Sequence, residues 1–338
     1  MTPIVHKNYS LKPYNTFNID VNANFFISID TVSALQALLA DTNWKSTSKF
    51  ILGGGSNILF TRDIDGLVIH NQIKGTQKIN ETQEHVYLKV GAGENWHQLV
   101  LFCVAHHYAG IENLSLIPGT VGAAPIQNIG AYGVELQESL YEVHAIKLAN
   151  NTSVVFNNQA CAFGYRDSIF KHTLKNKYII THIVLRLNKK PIFHLEYGAI
   201  KEKLKGKPIS IKSISDAIIQ IRQEKLPDPK TTPNAGSFFK NPIITSALFF
   251  SLQKKYPDMP YFKEGDDHFK IPAAWLIEQS GFKGKRFGHV GVNEKQALVL
   301  VNYSDGTGHD IKKLSELIQK TVAKQFHIEL TTEVNIYP

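Results

Sequence analysis

Cysteine is scarce: Cys103 and Cys161 are the only two among 338 residues, and no C-x-x-C pair occurs. A disulfide framework and a cysteine-built zinc site are thereby excluded, and two buried free thiols in a reducing compartment are expected. Long apolar runs are missing as well; none approaches the ~20 residues that a membrane helix needs. The opening MTPIVHKNYSLKPYNTF has no charged segment ahead of an apolar one, so no secretory leader is read there, and the expected location is the cytoplasm. Dense basic blocks are absent. The net charge of +8, from 37 basic and 29 acidic residues, is spread along the chain. No helix carries a basic stripe with interleaved aromatics, so nucleic acid is not an expected partner and an anionic small substrate fits as well. No G-x-G-x-x-G opens a helix: GGGSNI and GAGENW both fail at the third position. Walker A and H-E-x-x-H patterns are lacking too, which argues against a Rossmann dinucleotide site and a zincin centre. None of the 14 histidines forms a ligand set, and His106–His107 read as two helix positions, one inward and one outward. No metal is expected.

What remains is a chain 43% hydrophobic, enough for two or three domains. Val32, Leu35, Leu38 and Leu39 recur at helical spacing. GLVIHN and HVYLKVGAG read as strands, with Val86, Leu88 and Val90 alternating. ENWHQLVLFCVAHHY is an amphipathic helix with Trp96, Leu99, Val100, Cys103, Val104 and His107 on one face. Residues 113–137 read as loop, and YIITHIVLRL as a buried strand. Ser215 is placed at the cap of a helix running through Ile218 and Ile221 and stopping before LPDP. KLPDPKTTPNAGS, with three prolines, reads as a hinge into another lobe. IPAAWLIEQSGF and HDIKKLSELIQKTVAKQF are further helices. The final IELTTEVNIY alternates as a strand over 328–336, with Glu333 on its polar, solvent-facing side.

Two glycine-rich turns stand out: LGGGSN at 52–57 and IPGTVGAAPIQNIGAYG at 117–133. Either alone is an ordinary turn. Together, flanked by strands, they offer backbone N–H groups unobstructed by side chains, as a large phosphate-bearing cofactor requires. GYRDSIFKH sets Arg166 among aromatics, either in an ion pair with Asp167 or as a fork for a substrate carboxylate. NAGSFFKNP places Ser237 between glycine and two phenylalanines, as a tight turn or as a sheltered proton donor.

In this order LGGGSN, IPGTVGAAPIQNIGAYG, FGYRDSIFK, KLPDP and NAGSFFKNP resemble the UDP-N-acetylenolpyruvoylglucosamine reductase family, over nearly the whole chain. LEYGAI, and the length between NAGSFF and AAWLI, resemble its type I subgroup with a mobile tyrosine loop. The resemblance implies an α+β build: a two-subdomain FAD-binding fold of the vanillyl-alcohol oxidase type at 1–72 and 73–224, and a C-terminal α+β substrate-binding domain at 225–338. It implies a monomer with non-covalent FAD and with NADPH as reductant. Ser56 stands where oxidase relatives carry the histidine that links the flavin. Cofactor contacts are implied for Gly53, Gly54, Gly55, Ser56 and Asn57, for Pro118, Gly119, Thr120, Gly122 and Ala123, for Gln127, Asn128 and Gly130, and for Arg222.

The implied substrate is the enolpyruvyl ether of UDP-N-acetylglucosamine. An enol ether is electron-rich and accepts hydride only if its conjugated carboxylate draws the charge. The resemblance puts Arg166 and Glu333 at that carboxylate and makes Ser237 the donor of the closing proton, aided by Lys225 or a water. A Glu333 that donates must be protonated, with its pKa raised by burial. Lys225, Asn241 and Gln296 match positions that hold the diphosphate, sugar or nicotinamide. Tyr132 and Tyr197 match tyrosines near the UDP group. Tyr261, ahead of Phe262, takes the loop tyrosine's place. Asn335 departs from an arginine common in the family. Two rivals are a sugar oxidase on the same flavin fold and a non-catalytic nucleotide-sugar or nucleic-acid binder; the first needs no NADPH, and the second is colourless.

Overall fold

The computed structural model describes residues 4–337. The chain divides into two compact units, one comprising 1–9, 23–54 and 64–224, the other 10–22, 55–63 and 225–338.

The first unit is built on two sheets. A four-stranded sheet has the order His6–Ser10, Asn22–Ile29, Ile64–Asn71, Lys49–Leu52, and its last three strands pair in parallel. Parallel neighbours need a crossover. Here part of it is the helix Val32–Ala40, capped by Thr31, whose hydroxyl accepts from Ala34 N at 3.2 Å. Leu35 and Leu38 drop from that helix onto Ile27, Ile29, Leu67 and Ile69.

The second sheet is antiparallel, in the order Ser153–Asn157, Leu140–Lys147, Tyr178–Asn188, His85–Gly91, Thr76–Glu81. YIITHIVLRL is its central strand, which explains its nearly unbroken apolar character. The helix Trp96–Ala105 covers it, started by Asn95 Oδ1 accepting from Gln98 N at 3.0 Å. Trp96, Leu99, Val100 and Cys103 lie in its core with Ile183 and Leu185. The helix stops earlier than its periodicity suggests. His106 caps it, and His107 turns left-handed at φ 59°, so both histidines are exposed and His107 leaves the apolar face. Residues 113–137 are not all loop: short 3-10 turns form at Glu112–Leu114 and Val121–Gln127.

The helix placed around Ser215 runs Ile211–Lys225. Ser210 Oγ, not Ser215, takes the capping position by accepting from Ser213 N at 3.0 Å. Ser215 is one turn inside, 1% exposed, and its hydroxyl meets Ser115 Oγ at 2.8 Å.

In the second unit a four-stranded antiparallel sheet has the order Asn234–Ser237, Val299–Asn302, Val290–Val292, Arg286–Phe287. The helix Gly308–Phe326 has a capping box: Thr307 Oγ1 accepts from Asp310 N and Asp310 Oδ2 from Thr307 N. Ile311, Leu314, Ile318, Val322 and Phe326 form its buried stripe. Residues 243–270 hold a three-stranded sheet of Ile243–Thr245, His268–Lys270 and Phe262–Glu264.

The expected strand over 328–336 is shorter. Regular pairing covers only Asn335–Tyr337, parallel to Ile58–Phe60, with one isolated bridge from Thr332 to Phe239. Burial still alternates at Ile328, Leu330 and Val334, because the segment lies extended on the core without a continuous partner.

Candidate functional site

Gly53 and Gly54 of the first glycine turn neighbour the second turn within the first unit. A Cβ built on Gly53 would stand 2.5 Å from Thr120 Oγ1, and one on Gly54 3.1 Å from the Gly119 Cα. A methyl on Gly53 would push the Thr120 hydroxyl aside, and one on Gly54 would force the backbone of Gly119 to give by a few tenths of an ångström, so the close approach favours glycine at both positions. The amides of Gly54, Gly119 and Thr120 donate to no group among the described residues. Paired turns with these unused N–H groups, and only small side chains such as Thr120 and Ala123 between them, form a cradle for a phosphate-bearing cofactor. Gly55, in the second unit, has φ +60°, and a Cβ on it would collide with the carbonyl of Tyr14.

Further along the second turn the side chains serve the fold itself. Gly122 packs on Ala92 and donates to its carbonyl at 2.8 Å. Asn128 is fully buried at φ 44°. Its amide donates to Glu135 Oε2 at 2.8 Å and to Gly164 O at 3.0 Å, and its Oδ1 accepts from Gln137 N.

Arg166 is half-buried and left-handed at φ 54°, a conformation that a non-glycine residue holds only under constraint. Its Nη2 donates to Gly130 O at 2.5 Å, and its own carbonyl accepts from Lys171 Nζ at 3.0 Å. Asp167 is bonded to His172 Nε2 at 2.7 Å. Tyr132, left-handed at φ 51°, meets Tyr197 edge-to-face with centroids 5.5 Å apart. The Arg222 guanidinium lies beside Tyr132, with its Nε on Leu116 O at 3.2 Å. Burial lowers the Arg222 pKa and raises that of the Tyr132 phenol. His97, whose Nδ1 accepts from Leu116 N at 3.0 Å, is pushed down first by burial and then by Arg222.

In the second unit Ser237 ends its strand opposite Val299, half-buried. Its hydroxyl makes no hydrogen bond among the described residues. Phe238 and Phe239, 0% and 1% exposed, are both core, and Phe238 meets Phe17 edge-on at 6.3 Å. Each such ring contributes about 1.5–3 kcal/mol by burial, which pins the backbone on the far side of the serine. Glu333 is half-buried rather than solvent-facing. Its N–H donates to Phe238 O at 2.8 Å, and its carbonyl accepts from Asn57 Nδ2 at 3.3 Å. Asn335 in turn donates through Nδ2 to Asn57 O at 3.1 Å, which fastens the chain beside Glu333.

The remaining second-unit candidates differ in freedom. Lys225 is exposed. Asn241 Oδ1 accepts from Ala273 N at 2.9 Å. Gln296 Oε1 accepts from Leu298 N at 3.3 Å. Tyr261, 47% exposed, packs edge-on against Phe249 at 4.7 Å.

Sequence reading overlooked the run Glu112–Leu116. Four of its five residues hold something distant: Asn113 the loops of Tyr132 and His194, Leu114 O the Trp96 indole, Ser115 the helix of Arg222, Leu116 both His97 and Arg222. No local pattern signals this, since the run is plain polar and apolar residues between two elements.

Paired glycine turns with unused amides, in a mixed α and β chain, suit a phosphate-bearing cofactor, and residues 23–155 match the FAD binding domain family, which makes the class that of a flavoprotein. Residues 228–337 match the family described as UDP-N-acetylenolpyruvoylglucosamine reductase, C-terminal domain. The chain is 52% identical over 335 residues to the UDP-N-acetylenolpyruvoylglucosamine reductase of Amoebophilus asiaticus, covering 98% of this chain and 99% of the relative. Against that of Flavobacterium johnsoniae it is 46% identical over 336 residues, with 98% and 99% covered. The crystal structure of the reductase from Thermus caldophilus shares the fold, with TM-score 0.69 at 22% identity and 99% of each chain covered. The chain belongs to the UDP-N-acetylenolpyruvoylglucosamine reductase family.

Proposed function

We propose that the chain reduces the enolpyruvyl ether of UDP-N-acetylglucosamine to UDP-N-acetylmuramate, a step in peptidoglycan precursor synthesis, with NADPH as the electron source. FAD, when bound, supplies the hydride. The glycine turns at 53–57 and 118–130 would hold it by main-chain N–H groups, and Arg222 would lie beside it.

The chain's own residues have two tasks. Negative charge must be held at the substrate carboxylate as it builds, and a proton must reach the adjacent carbon. Arg166 takes the first task with its planar fork, which the bond to Gly130 O already orients. Glu333 joins it at the carboxylate. Ser237 takes the second, donating from Oγ. Lys225, Asn241 and Gln296 hold the diphosphate and sugar, Tyr132 and Tyr197 the UDP group, and Tyr261 belongs to a loop that covers the substrate. The working division is 1–72 and 73–224 for the flavin and 225–338 for the substrate.

Ser237 carries this reading. Its hydroxyl has no partner among the described residues, while the backbone behind it is fixed by two buried rings and by Glu333 N on Phe238 O. A turn serine would cap something; this one is free to donate to a ligand. The test is anaerobic stopped-flow on the purified, yellow protein. NADPH should bleach the bound flavin, and the enolpyruvyl nucleotide should then restore its colour in a one-to-one ratio. A colourless protein, or a flavin that turns over only with oxygen and a sugar, rejects the proposal.

A further inference from the structure

Asn113 sits in the 3-10 turn Glu112–Leu114 and is 1% exposed. Its side-chain amide has two hydrogens. Both are used: Nδ2 donates to Tyr132 O at 3.0 Å and to His194 O at 3.0 Å. The acceptors belong to segments about sixty residues apart in the chain, and each leads to an aromatic ring. One is the backbone of Tyr132 itself. The other lies three residues before Tyr197, which starts the helix Gly198–Leu204. The two rings meet edge-to-face at 5.5 Å. Leu195, between His194 and Tyr197, packs with Tyr132 on the helix-pair core of Ile200, Ile214 and Ile218.

Tyr132 is half-buried on that core and its phenol is bonded to the Arg222 guanidinium, whereas Tyr197 is 44% exposed. The separation of the pair therefore depends on where the segment of Tyr197 is fastened, and the main-chain bridge through the Asn113 amide ties that segment to Tyr132. The base of that bridge is itself anchored, because Ser115 Oγ donates to Glu112 O at 2.7 Å and meets Ser215 Oγ at 2.8 Å.

We propose that Asn113 is a positioning residue for nucleotide recognition: its amide, bonded at once to the Tyr132 and His194 carbonyls, sets the spacing of the Tyr132–Tyr197 pair that receives the UDP group. The inference rests on the reading above that these tyrosines contact that group. Asn113 touches no ligand. It acts by keeping two aromatic surfaces at a fixed distance, so that binding spends nothing on arranging them.

The test uses the full-length holoprotein and UDP as the probe, with affinity from titration calorimetry. The variants are Asn113→Asp, Tyr197→Ala and the two combined. Asn113→Asp keeps the side-chain shape but, when ionised, turns two donors into an acceptor facing two carbonyls. Bound FAD and Tm are recorded for each. The expected result is a loss of at least about tenfold in UDP affinity for either single variant. The double variant should be no worse than the weaker single, with FAD content and Tm close to the parent's. Such non-additivity marks two residues acting through one arrangement.

If Tyr197→Ala weakens UDP and Asn113→Asp does not, the positioning role is wrong and the substrate reading stands. If Tyr197→Ala leaves UDP binding unchanged, the reading of the tyrosines fails and takes this inference with it. Additive losses, or a fall in Tm or FAD content that tracks the UDP loss in Asn113→Asp, show a general structural residue and overturn the proposal.

Discussion

The amide of Glu333 donates to the carbonyl of Phe238 at 2.8 Å, tying the segment of the carboxylate to the residue that follows Ser237. The tie is main chain to main chain. A side-chain substitution at Ser237 therefore leaves it in place.

Ser237→Ala should fold as the parent does, since the lost hydroxyl has no partner among the described residues. Reduction of the bound flavin by NADPH should be nearly unchanged. Reoxidation by the enolpyruvyl nucleotide should slow by about 10²–10⁴, the scale of a missing general acid. Single-turnover stopped-flow separates the two phases; an equal fall in both makes Ser237 structural.

Gly54→Ala adds a methyl where a Cβ would lie 3.1 Å from the Gly119 Cα. Backbone cannot step aside as a side-chain tip can, so the two turns must part. Weakened FAD retention with the fold intact is expected, measured by the ratio of flavin to protein absorbance after gel filtration. Gly55→Ala should be harsher. It combines a positive φ with a collision against the Tyr14 carbonyl, and loss of soluble protein is the expected readout.

Asn128→Ala removes three hydrogen bonds from a fully buried site and leaves Gly164 O and Gln137 N short of partners. A loss of about 2–4 kcal/mol is expected in urea unfolding. Asn128→Gly should cost less than Asn128→Ala, because glycine accepts the left-handed backbone. The reverse order would mean that backbone strain plays no part there.

His182 faces His144 directly across two antiparallel strands, and its pKa is lowered from 6.5 to about 4, by burial first and then by Lys89 and His144. A depressed folded-state pKa means that the unfolded chain takes up the proton first. Stability should therefore decline as pH falls from 6.5 towards about 4. His182→Gln should flatten that decline relative to the parent, checked by urea midpoints across the window. Parallel curves would remove His182 from the acid response.

Much of the fold was legible where the cause is local. The apolar run along Tyr178–Asn188, the stripe on Gly308–Phe326 and the glycine turns all follow from local composition, period and steric room. The errors came where a distant group decides. Ser215 looks like a cap because serine caps helices; its hydroxyl instead answers Ser115, one hundred residues earlier. His107 continues the apolar period, yet the chain turns left-handed there because the helix has ended and Tyr108 N returns to Cys103 O. Glu333 alternates onto a polar face whose other members, Glu329, Thr331 and Asn335, are exposed, but it is itself half-buried, and Asn57 holds its carbonyl from 276 positions away. Asn113 carried no signal at all, since two donors to two loop carbonyls leave no imprint on spacing.

The strand Asn335–Tyr337 pairs with Ile58–Phe60, and Asn335 reaches Asn57 across 278 positions. A nascent chain that has exposed Ile58–Phe60 must wait until Asn335–Tyr337 has also been made and exposed before that ladder can close. The second unit therefore matures late, and its early segment stays vulnerable to wrong partners until then. A deletion of the last few residues should accordingly be felt first as poor yield of soluble polypeptide rather than as a change in turnover.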